Sequence, residues 1–308
     1  MHEHQAHPIE RHGVLGATDP AALHVQLAHL NEARLQPAQP SPGWAERLEW
    51  MHARSLLEGQ FLERERRAVA DRAARAPRDP DRFAAWFDAL VDDGPGQHDP
   101  LFDHLAEHAS HEQMRWFLTQ ELATEAGFDD LVALTQRRMP TRVKLELARN
   151  YWDEMGRGRA RGMHGPMLDQ LAEELGVISG PIGSVVWEAL AVSNTLMGLA
   201  YNRRYAYHAI GALGAIELTA PSRAEKLVEG LDRLGVERTA SHYFRLHAVV
   251  DLRHAQTWRD EVLVPLVRRD PDLAEPIAQG TLMRLVAGAR TFARYRRHLG
   301  VPDPSPDH

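Results

Sequence analysis

Three residues in the second half of the chain have the types and the spacing of metal ligands. His247, Asp251 and His254 occupy positions i, i+4 and i+7. At about 100° per residue, these positions fall within roughly 60° of one another on a helix, so the three side chains share one face. Two imidazoles and a carboxylate on one face suit iron or manganese. A buried, hydrogen-bonded His-Asp-His network is the alternative explanation of the same pattern.

The neighbours of this triplet favour the metal. Four apolar residues surround it: Leu246, Val249, Val250 and Leu252. They predict that this helix is largely buried. Buried ionisable groups need a partner or a metal ion, because desolvation of an unpaired charge is costly. Further ligands would then have to come from distant parts of the chain.

A second pair of candidates flanks a glycine-rich turn. Glu154 lies near the end of one predicted helix, and His164 begins the next helix ten residues later. Between them lie three glycines, Gly156, Gly158 and Gly162. Glycine permits tight backbone turns, so Glu154 and His164 can flank one site from either side of the turn. Ordinary helix termination, with both side chains solvated, is the alternative.

Two further acids occur on apolar faces of predicted helices. Glu217 follows Ile210 and Leu213 on one face. Glu121 lies in an apolar setting, and Glu125 comes one turn further along the same helix. The pattern does not separate Glu121 from Glu125, and we select Glu121. A carboxylate that reaches solvent at the edge of its helix would explain each of these acids taken alone.

Composition limits the chemistry. The chain of 308 residues has no cysteine, which excludes disulfides, thiolate nucleophiles and iron–sulfur clusters, so His and carboxylates would have to hold any transition metal. It has 36 basic and 43 acidic residues, for a net charge of -7. The basic residues are scattered rather than gathered in a stripe, which argues against a nucleic-acid partner. We therefore expect a small-molecule substrate.

The chain contains no apolar run of the roughly 20 residues that cross a bilayer, and its N-terminus has no apolar core of a signal peptide. We therefore expect a cytoplasmic protein with no membrane partner. Whether the protein forms a homodimer stays open.

Helical periodicity dominates the chain and no segment alternates like a strand, which predicts an all-α fold. Residues 1–44 end in a proline-rich run and are predicted to be an N-terminal arm or linker. A single helical domain is predicted over 45–300, with a metal-binding core at about 100–265 and a flexible tail at 301–308. Predicted helices lie near 44–76, 81–91, 101–108, 111–125, 128–137, 141–155, 163–175, 182–199, 203–219, 222–234, 238–266, 271–277 and 279–298.

The order and spacing of these candidates resemble the haem-oxygenase-like di-iron oxidases and oxygenases, often called iron-containing redox enzymes. Local sequences carry the resemblance over roughly residues 100–265: Phe117–Glu121, Asn150–Gly158 and Met163-His164. It implies a haem-oxygenase-like helical bundle without haem, preceded here by an N-terminal helical extension, and two Fe²⁺ ions. The implied ligands are Glu121, Glu154 and His164 toward one iron, with His247, Asp251 and His254 completing the pair and Glu217 as a ligand or bridge.

The resemblance also implies a reaction. We expect a non-haem di-iron, O₂-dependent oxidase or oxygenase that acts on a small organic molecule through a peroxo-di-iron intermediate. O₂ would be the co-substrate, and an unidentified donor would return electrons. The family acts on amino acids, amines or fatty acids, and the sequence does not choose among these substrates.

The substrate cavity is predicted to include residues from 182–215. The aromatic and polar candidates for its wall are Trp187, Asn194, Tyr201, Tyr205 and Tyr207. Arg203 and Arg204 are candidates to meet a substrate carboxylate.

Two other functions are compatible with the same residues. One is a metal-free enzyme of this fold that uses acids and histidines as general acid and base. Thiamin-degrading relatives of that kind commonly rely on a cysteine nucleophile, which is absent here. The other is a helical binding or interaction protein whose metal site is vestigial or structural.

Overall fold

The computed structural model of the protein describes residues 19–40, 42–125, 127–177 and 181–304. Within these ranges every regular element is helical, and extended pairing is limited to an isolated bridge between Met155 and Met163. The predicted all-α architecture is confirmed. None of the helices in these ranges has the length and apolar character needed to cross a membrane.

The described residues form α-helices with short 3₁₀ turns between some of them. The α-helices are α1 (Pro20–Leu35), α2 (Trp44–Ala68), α3 (Ala70–Ala73), α4 (Pro80–Asp93), α5 (Pro100–Glu107), α6 (His111–Glu125), α7 (Phe128–Thr135), α8 (Thr141–Glu154), α9 (His164–Glu174), α10 (Trp187–Tyr201), α11 (Ala206–Arg233), α12 (His242–Thr257), α13 (Val264–Arg269) and α14 (Ala274–Leu299).

Helix α11 is the central helix and packs against α14, α12 and α5. Its contact with α14 is very close at two glycines. A Cβ atom on Gly211 would lie 1.9 Å from the carbonyl oxygen of Ile277, and one on Gly280 would lie 1.9 Å from that of His208. Because glycine has no Cβ, the two backbones can meet at these points. The glycines therefore set which residues of α11 and α14 face each other.

Two predicted helix breaks are wrong. α11 continues through Pro221, and α14 runs without interruption past residue 278. Pro221 is buried, and packing of α11 against its neighbours outweighs the hydrogen bond that proline cannot donate. The helix predicted over 238–266 is instead interrupted, because a π-helical segment, Trp258–Leu263, separates α12 from α13.

The N-terminal region also departs from the prediction. Helix α1 lies inside the range predicted to be an arm or linker. The Asp19 side chain caps this helix by accepting hydrogen bonds from two backbone amides. Leu23, Leu27 and Leu30 are buried in the core, and α1 packs against α10. The prediction missed this helix because its four leucines among 16 residues give a weak apolar stripe. Residues 1–18 of the arm and 305–308 of the tail lie outside the described residues.

Candidate metal centre

The glycine-rich turn after α8 brings two candidate ligands together. Glu154 is the last residue of α8 and His164 is the first residue of α9, and both are buried. A Cβ atom on Gly156, whose φ is +59°, would lie 2.2 Å from the carbonyl carbon of Gly162. Because glycine occupies this point, the turn can close. Nδ1 of His164 consequently lies 2.5 Å from Oε2 of Glu154.

The three candidates on α12 share one face, as their spacing predicts. Nδ1 of His247 lies 2.9 Å from Oδ2 of Asp251, and Nδ1 of His254 lies 3.6 Å from Oδ1 of the same carboxylate. The expectation that the whole helix is largely buried is wrong, because Val249 and Leu252 are 69% and 56% exposed. At about 100° per residue, these two project from the side opposite to the triplet. Helix α12 therefore separates the candidate centre from solvent.

Helix α11 contributes Glu217, which is buried between α8 and α12. The amide Nδ2 of Asn150 donates a hydrogen bond to Oε1 of Glu217 at 2.5 Å. The second oxygen, Oε2, lies 3.4 Å from Nδ1 of His254. Asn150 precedes Glu154 by about one turn of α8. One helix therefore supplies a candidate ligand and orients another.

Glu154 belongs to two groups of potential ligand atoms. In the first group it is joined by His164 and His247, and in the second by Glu217 and His254. Within each group, one atom from each residue lies within 4.8 Å of the others. Atoms at this separation can bind one ion, and a carboxylate has two oxygens with which to join two ions. Four helices, α8, α9, α11 and α12, thus supply two adjoining groups of potential ligand atoms.

Burial and negative charge oppose each other at this centre. Burial raises the pKa of Asp251, although the neighbouring His247 acts against the rise. Burial lowers the pKa of His254, but the carboxylates around it, chiefly that of Glu217, outweigh burial and raise that pKa to about 9. Several buried carboxylates thus favour a positive charge between them, here a proton on an imidazole. A divalent cation would supply the same charge.

The donor atoms fit such a cation. Nδ1 of His254 and Oδ1 of Asp251 are buried and have no hydrogen-bond partner within the described parts of the chain. A buried polar atom without a hydrogen bond is costly, so these two atoms are suited to bind a metal ion. The donors of this centre are imidazole nitrogens and carboxylate oxygens, the set that binds Fe(II) and Mn(II). The residues therefore fit a pair of metal ions of this kind.

The acid of α6 lies apart from these two groups. Glu121 is half-buried and accepts a hydrogen bond at 2.9 Å from the hydroxyl of Tyr295. It lines the same cavity as Glu154 and Glu217. The side chain of Glu125, the alternative candidate, lies outside the described residues. The choice between Glu121 and Glu125 stays a prediction.

A cavity adjoins the candidate centre. The volume that water can occupy in it is about 100 Å³. Glu154, Glu217, His247 and Asp251 form one part of its wall, and Arg223 and Arg284 also line it. Much of the remaining wall is apolar and includes Phe102, Phe128, Leu196, Ile216, Phe244 and Phe292. Such a cavity suits a small organic molecule with an apolar body.

The helices that carry the candidate ligands lie within a region that matches a known family. Residues 115–289, more than half of the chain, match the family model described as iron-containing redox enzyme. The chain belongs to this family. No curated protein matches the chain. The match agrees with the resemblance drawn from the sequence. It covers seven α-helices in full, α7 to α13.

Solved structures show the same fold. One crystal structure of a CADD-like protein of unknown function from Nostoc punctiforme has a TM-score of 0.57 and 19% identity, covering 71% of this chain and 98% of that chain. A second crystal structure with the same description has a TM-score of 0.50 and 18% identity, covering 79% of this chain and 96% of that chain. With the family match, this likeness confirms the predicted haem-oxygenase-like helical bundle.

In this member of the iron-containing redox enzyme family, sequence analysis missed two residues that support the candidate ligands. Oδ2 of Asp153 lies 3.2 Å from Nε2 of His254, so this carboxylate orients the imidazole from the side opposite to Glu217. Asn150 holds Glu217 in the same way. Such outer partners fix the ring orientation and the basicity of metal-binding side chains. Their signal in the sequence is their position within the Asn150–Gly158 segment, which carries part of the family resemblance.

The 182–215 region contributes to the cavity wall as predicted, but the individual residues predicted to line it are wrong. Val192 and Leu196 of α10 line the cavity. Trp187, Asn194, Tyr201, Tyr205 and Tyr207 do not. Asn194 hydrogen-bonds to the backbone of α1, and the hydroxyl of Tyr205 donates to Glu63.

The two arginines predicted to meet a substrate carboxylate lie elsewhere. Arg203 donates to the carbonyl oxygens of Leu134, Thr135 and Arg137 at the end of α7. Arg204 is paired with Glu63 at 3.3 Å on the surface. Arg203 thus links the end of α7 to the turn between α10 and α11.

Proposed function

We propose that the protein is a non-haem di-iron, O₂-dependent oxidase or oxygenase that acts on a small organic molecule bound in the cavity. One observation carries this proposal: two groups of potential ligand atoms share Glu154, which lines a cavity with both polar and apolar walls. Membership of the iron-containing redox enzyme family supports the choice of iron.

The two groups suggest how the ligands divide. His164 and His247 would bind one iron, Glu217 and His254 would bind the other, and Glu154 would contact both. Asp251 lies between the two histidines of α12, so it can reach either position. Glu121 is a further candidate on the cavity wall, as the resemblance implies.

An iron pair with nitrogen and oxygen ligands supplies, when bound, open coordination positions at which O₂ is reduced. The protein's own residues do the remaining work. Asp153 and Asn150 hold His254 and Glu217 in place, which reduces reorganisation when metal binds. The apolar wall excludes water from the reacting groups and positions the substrate beside them. Electrons would come from an external donor.

Metal counting tests this proposal. The protein is loaded with Fe(II) without oxygen, freed of excess metal and measured by mass spectrometry for iron per chain. We expect about two irons per chain and oxygen consumption that depends on them. Glu154→Gln should abolish binding of at least one iron. The matched control is Glu146→Gln, which changes a buried carboxylate of the same helix that is paired with Arg149 instead.

The competing functions give different results. An absence of bound iron, with any activity unaffected by His247→Ala, would favour a metal-free acid–base enzyme. Bound iron without oxygen consumption toward amino acids, amines and fatty acids would favour a binding protein with a structural metal site. Equal iron content in Glu154→Gln and Glu146→Gln would contradict the shared role of Glu154.

A further inference from the structure

One stretch of this acidic chain is basic, and it adjoins the candidate metal centre. Residues 137–161 contain eight basic and three acidic residues, whereas the whole chain has 36 basic and 43 acidic residues. The stretch includes α8 and the glycine-rich turn that follows it. Of its three acids, Glu146 and Glu154 are buried and Asp153 is only 17% exposed. The charge that this stretch presents to solvent is therefore positive.

The exposed side of α8 combines apolar and basic side chains. At about 100° per residue, Leu145, Arg149 and Trp152 lie within roughly 60° of one another. Leu145 is 55% exposed and Trp152 is 53% exposed. Tryptophan and arginine are enriched where proteins bind one another, and tryptophan is frequent among the residues that dominate the binding energy. This side of α8 has the composition of a protein-binding surface.

The turn after α8 holds the tryptophan and an arginine in place. A Cβ atom on Gly158, whose φ is +79°, would lie 2.9 Å from Cη2 of the Trp152 ring. Arg157 has a φ of +53°, which is uncommon for a residue other than glycine, and residues in such conformations cluster at functional sites. Nε of Arg157 donates to Oδ1 of Asp153 at 2.7 Å. Both side chains are thus ordered before a partner binds, which lowers the entropic cost of association.

The positive charge of this surface is only partly neutralised within the protein. We define the basic face as one tryptophan and five exposed cations: Trp152, Lys144, Arg149, Arg157, Arg159 and Arg161. Arg149 is paired with Glu146. Arg157 is paired with Asp153. The other three cations form no ion pair with the residues that the structure describes. The basic face therefore has excess positive charge and is complementary to an acidic partner.

A short path of contacts joins the basic face to the candidate ligands. Asp153 contacts Arg157 through one carboxylate oxygen, and its other oxygen lies 3.2 Å from Nε2 of His254. Nδ1 of the same imidazole lies 3.4 Å from the carboxylate of Glu217. Asp153 thus bridges the basic face and a proposed metal ligand. A protein bound to this face would lie close to the metal centre, as electron transfer between proteins requires.

We propose that the basic face binds the electron donor, and that this donor is an acidic protein that carries one electron at a time. The proposal rests on the proposed di-iron function, which needs an external source of electrons. Each bound donor loses one electron and reduces one iron from Fe(III) to Fe(II), so two encounters restore both ferrous ions. Lys144, Arg159 and Arg161 attract the donor, and Trp152 packs against it.

Association measurements test the proposal with two acidic carriers, a plant-type ferredoxin and a flavodoxin, and with one basic carrier, cytochrome c. The protein is loaded with Fe(II) and kept free of oxygen, and each carrier is reduced beforehand, so no electron moves during the measurement. We expect both acidic carriers to bind, with association rates that fall as salt is added, and cytochrome c not to bind.

Charge reversal tests the three cations without an ion pair. Lys144→Glu, Arg159→Glu and Arg161→Glu together should lower the association rate of the acidic carriers by about tenfold or more. The matched control reverses three cations on other elements of the fold. They are exposed and form no ion pair within the described parts of the chain: Arg75→Glu, Arg82→Glu and Arg238→Glu. The two triple variants have the same net charge, so only the position of the charges differs.

Trp152→Ala tests the apolar contact. It should weaken binding of the acidic carriers by at least about tenfold, the effect of removing a tryptophan that dominates an interface. Trp44→Ala is the control, because Trp44 is 65% exposed on α2, and it should leave the affinity unchanged. Iron content and thermal unfolding show whether each variant keeps its metal and its fold.

Electron transfer tests the role of the partner. The protein is oxidised, mixed with reduced ferredoxin without oxygen and followed by its absorption in a stopped-flow instrument. The triple variant of the basic face should be reduced by ferredoxin about tenfold more slowly than the triple control. Reduction by dithionite, a small molecule that needs no docking surface, should be equal in both variants.

Several results would overturn the proposal. Equal association rates for the two triple variants, or cytochrome c that binds as tightly as ferredoxin, would remove the role of the basic face. Double-stranded DNA or phosphatidylserine vesicles that bind as tightly as the acidic carriers would indicate a general anion-binding surface. Equal rates of reduction by ferredoxin in the two triple variants would exclude an electron donor at this face.

The iron content distinguishes this proposal from the proposed function. If no iron binds, the di-iron proposal fails, and the role of the partner as an electron donor fails with it. The same association measurements on the metal-free protein then decide whether the basic face binds acidic carriers. If two irons bind and the acidic carriers do not, only the assignment of the basic face is overturned.

Discussion

Two buried histidines of this protein have neighbours of opposite charge: arginines lie near His24, and carboxylates lie near His254. His24 of α1 lies beside Trp187 and Asn194, and Asn194 also accepts a hydrogen bond from Asn31. Its ring stacks on Trp187 with centroids 5.6 Å apart, and Nδ2 of Asn194 donates to its carbonyl oxygen at 2.9 Å. Burial, with the charges of Arg290 and Arg64, lowers the pKa of His24 to about 4.

The candidate metal centre produces the opposite shift. His254 is also buried, yet the carboxylates of Glu217, Asp153 and Asp251 raise its pKa to about 9. Burial beside arginines rather than carboxylates thus keeps an imidazole neutral, as at His24, where the ring serves helix packing. Burial together with several carboxylates makes a place for a cation. A buried histidine of this protein therefore indicates a candidate metal site only where acids converge on it.

The largest effect should come from alanine substitution of the two histidines. His254→Ala removes a proposed ligand, so we expect the loss of at least one iron per chain and a metal affinity lower by more than about 100-fold, beyond the effect of removing an outer partner. His24→Ala should retain all the iron and lower the free energy of unfolding by about 2–4 kcal/mol, as for other large-to-small core substitutions. Chelator competition and urea unfolding measure the two effects. Equal iron loss in both variants would remove the distinction.

The next effect concerns the outer partner of His254. Asp153→Asn keeps the shape of the side chain but removes the charge that orients the imidazole, so iron affinity should fall by about 10–100-fold. Asp103→Asn is the control, because Asp103 is an exposed carboxylate paired with Lys226 at 3.1 Å. Chelator competition with Fe(II) measures both variants. If Asp153→Asn binds iron as tightly as the control does, Asp153 has no role at the centre.

The pH dependence of stability should report on His24. Burial lowers the pKa of His24 from 6.5, the ordinary value for histidine, to about 4 in the folded protein, so His24 of the unfolded chain binds a proton first as the pH falls. The resulting loss of free energy of unfolding is nearly absent above pH 6.5 and grows as the pH falls toward 4. Between pH 7.5 and pH 5 the metal-free protein should lose about 2 kcal/mol through this group.

The control for this dependence is His24→Phe, which cannot bind the proton. Urea unfolding of both proteins at the two pH values isolates the contribution of His24, since all other titrating groups are shared. A wild-type protein that loses no more stability than His24→Phe would show that His24 is not held neutral by burial.

The smallest effect should come from a matched pair of asparagines. Nδ2 of Asn31 donates to Oδ1 of Asn194 at 2.8 Å, whereas Nδ2 of Asn150 donates to a carboxylate oxygen of Glu217. Asn31→Ala should lower the free energy of unfolding by about 1 kcal/mol and leave iron binding intact. Asn150→Ala should weaken iron binding instead. Iron lost from Asn31→Ala and kept by Asn150→Ala would reverse the comparison.

Local periodicity explains what could be predicted. The face shared by His247, Asp251 and His254 follows from helix geometry alone, and α6 has the predicted bounds, 111–125. The approach of Glu154 to His164 follows from glycine between two helices, a local property of the backbone. These residues depend on neighbours within about two turns of chain, so pattern was sufficient to group them.

Predictions that depended on distant neighbours were less successful. Arg203 caps the end of α7, and Pro221 lies inside a continuous helix, because residues far away in sequence pack there. The exposure of Val249 and Leu252 depends on which side of α12 meets the core. Helix α1 was missed since its few leucines become significant only against α10. No sequence pattern indicated that Arg284 lies on the cavity wall.

The sequence by itself determined the helical architecture, the family and the residue types able to hold a metal, because periodicity, glycine position and the absence of cysteine act locally or through composition. Only the tertiary structure decided that Glu154 belongs to both groups of ligand atoms, that Asp153 and Asn150 support them, and that Arg284 faces the same cavity. Those relations join residues more than a hundred positions apart, and their distances are set by the packing of α8, α11, α12 and α14.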